Sequence, residues 1–416
     1  MELGINIAWN KEDNNISEYY FKIFKKCKLL NISVIRIILS QWGINALYDE
    51  NCRECFDDIL KEAEKRNIEI ILTLTNFVDF NNDNSNDINN DRYSWKNNKY
   101  YTSKKSEFFK SLNPLFKKDI KEVLKIVDKY HSVKTIELCN EIDKIEMNKR
   151  LLIKWSNLLE TYIGKLNPKY NISISISNHK LFRYYQKKLE MYVDLHHYSF
   201  PYNIALLNLK YIIERNKKIL YLGEYSKYSD MAHSTLLNSK IYFTSGLWGS
   251  YFYNLKCSNL SWWWDEIIDD MKYKNIYKIF SKLSKNIKFK ELVFTEKIKV
   301  HILKNINDFH ENQKVKARLM NLIKHPKRIF KEFKNIYKYI IKKLNKQKKY
   351  IEIKINEKTF YFESYHDCSI ELDNLNNKKK YKIINLIDGN EIIFDNSEQI
   401  FIKRGNYLII EGIKTK

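Results

Sequence analysis

Two glutamates sit where packing has little use for a charge. Glu141 ends the run Thr135-Ile136-Glu137-Leu138-Cys139-Asn140-Glu141, and Glu224 ends Ile219-Leu220-Tyr221-Leu222-Gly223-Glu224. Both runs are short and apolar and read as buried strands. A carboxylate at the C-terminal end of such a strand stands where eight-fold βα barrels carry their chemistry. Two carboxylates on strands far apart in sequence can act on one bond as a pair. A single glutamate at a strand end has a plainer use, as a salt-bridged loop residue. The pair, together with what surrounds it, therefore carries the inference.

The elements that must position these residues follow from hydrophobic patterning. Strands are predicted over 4–9, 32–39, 68–76, 133–140, 171–177, 192–198, 219–224 and 258–264. Between them lie amphipathic stretches, such as Phe116 to Tyr130 with Ile120, Val123, Leu124 and Val127 on one face. The strands are nearly continuous in apolar residues, as a parallel sheet covered on both faces requires. Eight βα units in succession predict an α/β fold, a closed (β/α)8 TIM barrel, over residues 1–288. The third βα connection, Asp79 to Pro114, is long, polar and contains Trp95. A connection of this length is expected at the active face.

The pattern changes after about residue 290. Glu291 to Leu303 reads as one strand, and residues 350–416 as several more, with turns at Asn374-Leu375-Asn376-Asn377 and Asp388-Gly389-Asn390. A small antiparallel, sandwich-like β domain is expected over 289–416. It carries a basic helical insertion at about 312–349, with the stripe Ile329, Phe333, Ile336, Tyr337, Ile340 and Leu344 flanked by lysines. Such a helix can lie on an anionic membrane surface or pack its stripe on the fold. Pro326 and the flanking strands favour packing.

Composition narrows the partners. The 416 residues are 44% hydrophobic, enough for a large core, and carry a formal net charge of +23. Lysine far outnumbers arginine, and Ile, Asn and Lys recur throughout, which fits a biased composition with a solvated basic surface. No arginine-rich or other nucleic-acid-reading motif is present, so no nucleic-acid partner is expected. Met1 runs almost directly into the first strand, without a signal sequence, so a cytoplasmic location is expected, with export left open. The six cysteines are scattered, and Cys52-x-x-Cys55 has no matching second pair. They suggest neither a disulfide framework nor a metal site. No cofactor is called for.

Several residues together resemble a known group. Asn140-Glu141 at the end of the fourth predicted strand, and Glu224 at the end of the seventh, are similar to the catalytic positions of the retaining glycoside hydrolases of clan A, the 4/7 superfamily. Family 5 cellulases and mannanases are the nearest likeness. Gly4-Ile5-Asn6 resembles that group's first-strand Gly-x-Asn, Arg36 its strand-two arginine, and His196-His197-Tyr198 its His-x-Tyr. Ser261-Trp262-Trp263-Trp264-Asp265 resembles an aromatic eighth strand, and the C-terminal domain weakly resembles a following sandwich. The strand-three histidine of the group is not evident; Asn76 ends that strand instead.

The resemblance implies a β-linked oligo- or polysaccharide substrate, mannan- or glucan-like, cleaved by double displacement. Glu141 would be acid and then base, and Glu224 the nucleophile. Arg36 would supply opposite charge, Tyr198 a hydrogen bond, and Asn140 a contact to a sugar 2-hydroxyl. His196 would line the pocket, and Trp9, Trp42 and Trp264 would stack on sugar faces. The competing expectation is a barrel that binds glycan, or attaches to a surface, without cleaving. A phosphate-binding barrel enzyme is disfavoured, because no glycine-rich loop follows strands seven or eight.

Overall fold

The apolar runs form strands and pair in chain order. In the computed structural model these are β1 (Leu3–Ile7), β2 (Ile32–Ile38), β3 (Glu69–Asn76), β4 (Val133–Asn140), β5 (Asn171–Ile176), β6 (Tyr192–Tyr198) and β7 (Leu222–Ser226). They make one parallel sheet in the order β1-β2-β3-β4-β5-β6-β7. The structure describes residues 1–8, 15–40, 43–80, 95–198, 221–226, 236–258, 260–261, 267–268, 271, 273–287, 293–294, 298–302, 350–356, 358–364, 367–372, 380–395 and 400–411. By internal contacts the chain divides into two compact units. One comprises 1–200, 205–228 and 246–278, and the other 201–204, 229–245 and 279–416.

The first unit is a (β/α)8-type barrel. Of the eighth predicted strand, 258–264, the residues 258, 260 and 261 are described, and this segment joins the sheet by parallel bridges: Glu2 to Cys257, and Ser261 to both Ile5 and Tyr225. A side chain takes over part of the ladder, since Ser258 Oγ accepts from the Gly4 N–H at 2.8 Å. Backbone bonds from Ser258 N to Glu2 O (2.8 Å) and from Tyr225 N to Leu260 O (3.0 Å) tie this segment to both barrel edges. The approach is close: a Cβ on Gly4 would lie 2.6 Å from Leu260 Cδ2.

Helices cover the outside by the usual local rules. α1 (Ile16–Leu29) follows β1, and α2 (Cys52–Lys65) follows β2. α3 (Lys105–Lys110) is short. α4 (Pro114–Val127) starts where Asn113 accepts from Leu115 N and Phe116 N with proline in the first turn. It buries Phe116, Ile120, Val123, Leu124 and Val127, the stripe expected from the sequence. α5 (Lys149–Leu166) and α6 (His179–Lys188) follow, and further along the chain come α7 (Leu236–Phe252) and α8 (Lys274–Asn286). Among the described residues no helix is long and apolar enough to cross a membrane.

The described half of the long third connection does not hang free. Trp95, Tyr100, Phe108 and Phe109 are buried, and they meet Phe80, Phe116 and Trp155 at ring separations of 5.0–6.1 Å. One carboxylate locks this cluster to the barrel. Asp119 on α4 receives Arg53 at 2.9 Å, Lys99 at 3.0 Å and the Tyr100 hydroxyl at 3.0 Å.

The second unit contains two antiparallel sheets. Its strands are β8 (Val293–Phe294), β9 (Ile298–Ile302), β10 (Tyr350–Asn356), β11 (Thr359–Ser364), β12 (Cys368–Leu372), β13 (Lys380–Asn385), β14 (Glu391–Asp395), β15 (Ile400–Ile402) and β16 (Gly405–Glu411). The orders are β14-β13-β16-β11-β10-β8 and β15-β12-β9. Phe360, Phe362, Ile383 and Ile409 of the first sheet share a core with Cys368, Ile370, Ile400 and Ile402 of the second, a sandwich arrangement. The run 291–303, read as one strand, divides into β8 and β9, which pair in different sheets. A period-two pattern cannot register a change of sheet, because either layer buries alternate residues equally well. The turn at Asp388-Gly389-Asn390 forms as expected, with Gly389 at φ +83°. The expected insertion at 312–349 lies outside the described residues, as does the turn at 374–377.

Asp119 is 1% exposed and gathers charge from two separate segments. Asp119→Ala leaves Arg53 and Lys99 without their carboxylate and is expected to destabilise the barrel by about 3 kcal/mol. A fall in the thermal unfolding midpoint checks this. An unchanged midpoint would show that the aromatic cluster alone holds the connection.

Candidate active site

The site is built around a buried cation. Arg36 lies mid-strand in β2, flanked in register by Asn6 on β1 and Ile71 on β3, and is 1% exposed. A guanidinium has five N–H donors, and here there are five contacts. Nε and Nη2 grip Glu137 at 2.6 and 2.9 Å, and Nη2 also reaches Asn140 Oδ1 at 2.8 Å. Nη1 donates to Asn6 Oδ1 at 2.9 Å and to Glu224 Oε1 at 3.3 Å. Burial works against the guanidinium's charge, but Glu137, Glu224 and Asp194 outweigh it and raise its pKa. Burial likewise pushes the Glu137 carboxyl up, yet Arg36 beside it holds it below its ordinary value.

Asn6 carries the network to the barrel seam. Its Nδ2 donates to Gly223 O and Leu260 O, each at 3.0 Å. Asn140, oriented by Arg36, donates to Asn76 Oδ1 at 3.2 Å. The Asn76 side-chain Nδ2 is buried and has no hydrogen-bond partner among the described residues. A buried donor without a partner costs about 1–3 kcal/mol.

Glu141 follows the last residue of β4 in the left-handed region, at φ 50°. Its N–H donates to Ser175 Oγ at 2.8 Å. This backbone reversal turns the carboxylate towards β6 and starts the short 3₁₀ turn Ile142–Lys144. His196 Nδ1 then stands between the two glutamates, 3.1 Å from Glu141 Oε1 and 3.2 Å from Glu224 Oε2. The histidine is fully buried. Burial opposes its charge, but Glu224 and Glu141 outweigh that and raise its pKa to about 9. Lys144 holds the other oxygen of Glu141 and lies 4.7 Å from the centre of the Phe77 ring.

Below this layer, Asp194 on β6 accepts from Tyr221 N at 3.2 Å. Burial and then the Glu137 charge push its carboxyl up to about 7. One atom each from Glu141, His196 and Glu224 lie within 4.8 Å of one another. Nitrogen and carboxylate donors at such spacing can hold a divalent cation, provided His196 first gives up its Nδ1 proton.

The structure thus brings together Arg36, Asn140, Glu141, His196 and Glu224. Tyr198 lies on β6 with its backbone paired to Ser226, but its side chain is outside the described residues. Trp9, Trp42 and Trp264 are also outside them. Sequence reasoning missed Glu137, Ser175, Asp194 and Lys144. Glu137 carried a usable signal, since a carboxylate inside an apolar strand must find a cation. Lys144 carried none, because its position depends on the left-handed turn at Glu141.

No protein-family model matches the chain, and no curated protein matches it in sequence. Solved structures match in fold. A family 39 glycoside hydrolase from the gut symbiont Bacteroides cellulosilyticus WH2 aligns over 98% of this chain and 80% of its own, at 11% identity and a TM-score of 0.55. An endo-β-1,4-mannanase from Thermotoga petrophila aligns over 99% of this chain and 97% of its own, at 12% identity and a TM-score of 0.48. At these identities the likeness is one of fold.

Two outcomes follow from the His196 environment. The folded-state value of about 9 lies above the ordinary 6.5. His196 therefore stabilises the fold fully below about pH 6.5, and that contribution is lost as pH rises through about 9. The unfolding midpoint should fall over this window, and His196→Gln should flatten the fall; parallel curves for both proteins would contradict the assignment. Gly223 has no room for a side chain, since a Cβ there would sit 2.9 Å from His196 Nε2 and 3.0 Å from its Cδ2. Gly223→Ala should displace the ring and disturb both glutamates, read as loss of the His196-dependent pH response without global unfolding.

Proposed function

We propose that the chain is a retaining β-glycosidase in which Glu224 is the nucleophile and Glu141 the acid, then the base. One observation carries this reading. Carboxylates from the ends of β4 and β7 converge on a single histidine nitrogen, with their nearest oxygens within 4.8 Å. Retaining enzymes hold their carboxyl groups about 5–5.5 Å apart, whereas inverting enzymes need about 6.5–9.5 Å to admit a water. The spacing here favours direct attack on the sugar.

The surroundings suit the two roles differently. Glu224 receives Arg36 on Oε1 and His196 on Oε2, both from buried cations. These keep it ionised and aimed, ready to form a bond to the anomeric carbon. Positive charge accumulating on the sugar in the transition state meets that carboxylate. Glu141 would deliver a proton to the leaving oxygen as the glycosidic bond breaks. It would then take one from the water that releases the sugar from Glu224. His196 Nδ1, in reach of both carboxylates, can follow the charge as it passes between them. The free amide hydrogens of Asn76 and Asn140 suit sugar hydroxyls.

The substrate class is a β-linked glycan, with mannan- and glucan-like chains the first to test. A second reading, a barrel that binds glycan without cleaving it, draws on one observation: Lys144 occupies the Glu141 oxygen that His196 leaves open.

Glycan-library hydrolysis separates the two. Glu224→Gln should lower turnover roughly 10⁴-fold or more, and a 2-fluoro glycoside should label Glu224. Glu141→Ala should lose roughly 10²–10⁴-fold on natural glycans and less on an aryl glycoside with a good leaving group. Labelling elsewhere, or full activity in Glu224→Gln, would overturn the assignment. Binding without any turnover would favour the second reading.

A further inference from the structure

All four oxygens of the paired glutamates face a cation. Arg36 and His196 hold Glu224, while His196 and Lys144 hold Glu141. A carboxyl group that is to hand a proton to a leaving oxygen must present one of its oxygens to the substrate. One of these contacts therefore has to open. Arg36 and His196 are sealed in, with side chains 1% and 0% exposed, and Glu137 grips Arg36 besides. Lys144 is 43% exposed. It is the cation in this set that can leave.

What draws it away has to match its chemistry. Lysine presents a compact ammonium on a flexible stem, and its partners are anions. The ammonium is flanked by the half-buried ring of Phe77, at the start of the turn that follows β3. An apolar ring beside an ammonium suits a pyranose that offers a C–H face and a negative group together. With Glu141 as the acid, the oxygen that Lys144 releases is the one that must meet the leaving oxygen, which assigns the group Lys144 meets to the leaving sugar.

We propose that Lys144 is a specificity residue, and that the chain acts on acidic glycans whose leaving-side sugar carries a carboxylate or a sulfate ester. The anion draws the ammonium off Glu141 Oε2 and frees that oxygen for the leaving group. A neutral glycan leaves the lysine where it is. This rests on the reading of Glu141 and Glu224 as the catalytic pair. It also removes the observation that favoured binding without cleavage, since the blocked oxygen becomes a condition that the right substrate lifts.

The test compares β-linked oligosaccharides bearing uronate or sulfate groups with the same chains after carboxyl reduction or desulfation. Affinity is measured by calorimetry on the Glu224→Gln protein, so that no turnover is needed, and KM and kcat on the wild type. The acidic chains should bind at least tenfold more tightly than their neutral counterparts. The preference should weaken with added salt. Lys144→Met, which keeps length without charge, should abolish it, and Lys144→Arg should retain most of it. The two arms tell carboxylate from sulfate. Equal affinity for acidic and neutral chains, or an undiminished preference in Lys144→Met, overturns the inference. If the preference follows Lys144 but no glycoside labels Glu224, the catalytic reading falls and the anion site stands. If Glu224 is labelled and no preference appears, the reverse holds.

Discussion

Everything in the site depends on the guanidinium of Arg36 finding all of its partners at once. A buried cation costs several kcal/mol of lost hydration, which only well-placed opposite charge and hydrogen bonds offset. Here the partners come from β1, β4 and β7: Asn6, Glu137, Asn140 and Glu224. None of these strands can shift register by one residue without turning its partner away from the arginine. Closing the sheet and assembling the site are thus one event. Asn6 makes this explicit, since the same side chain accepts from Arg36 and donates across the seam to Gly223 and Leu260. Lysine could not serve, because it lacks the rigid fork that grips Glu137 at two points.

Around that anchor the charges are matched but not equivalent. Arg36, His196 and Lys144 face Glu137, Glu141 and Glu224. Glu137 is spent on holding the arginine and stays ionised. Glu224 has two cations that cannot leave. Glu141 has one that cannot leave and one that can. Two chemically identical side chains thereby acquire the different roles that the proposed reaction asks of them, one fixed as an anion and one releasable. Environment rather than residue type makes the difference, as it does wherever paired carboxylates divide acid and nucleophile duties.

Much of the fold was legible in the sequence, and the exceptions have physical causes. Seven strands appear where apolar runs predict them, and α4 appears with its predicted face buried. At the eighth position the described residues join both edges by parallel bridges, and Ser258 accepts from the backbone of Gly4. The run 291–303 split because a change of sheet leaves no mark on a period-two pattern. Within the site, Glu141, Glu224, Arg36, Asn140 and His196 were each named from sequence, and the structure gathers them. Glu137 was passed over as part of a strand, although its burial made a cationic partner obligatory.

Sequence alone determined which residues could do chemistry and which elements would carry them. Strand and helix periods, caps and turns are local and can be read within a few residues. It did not determine who meets whom. Arg36 reaches Glu137 across 101 positions and Glu224 across 188. Those encounters exist only once the sheet has curled and its register is set. Tertiary structure likewise decided that one histidine nitrogen serves both glutamates, that Gly223 must lack a side chain to make room for that ring, and that Lys144 covers Glu141. The reason is common to all three. Burial and proximity fix the state and partner of a charged group, and both are properties of closure that no local pattern encodes.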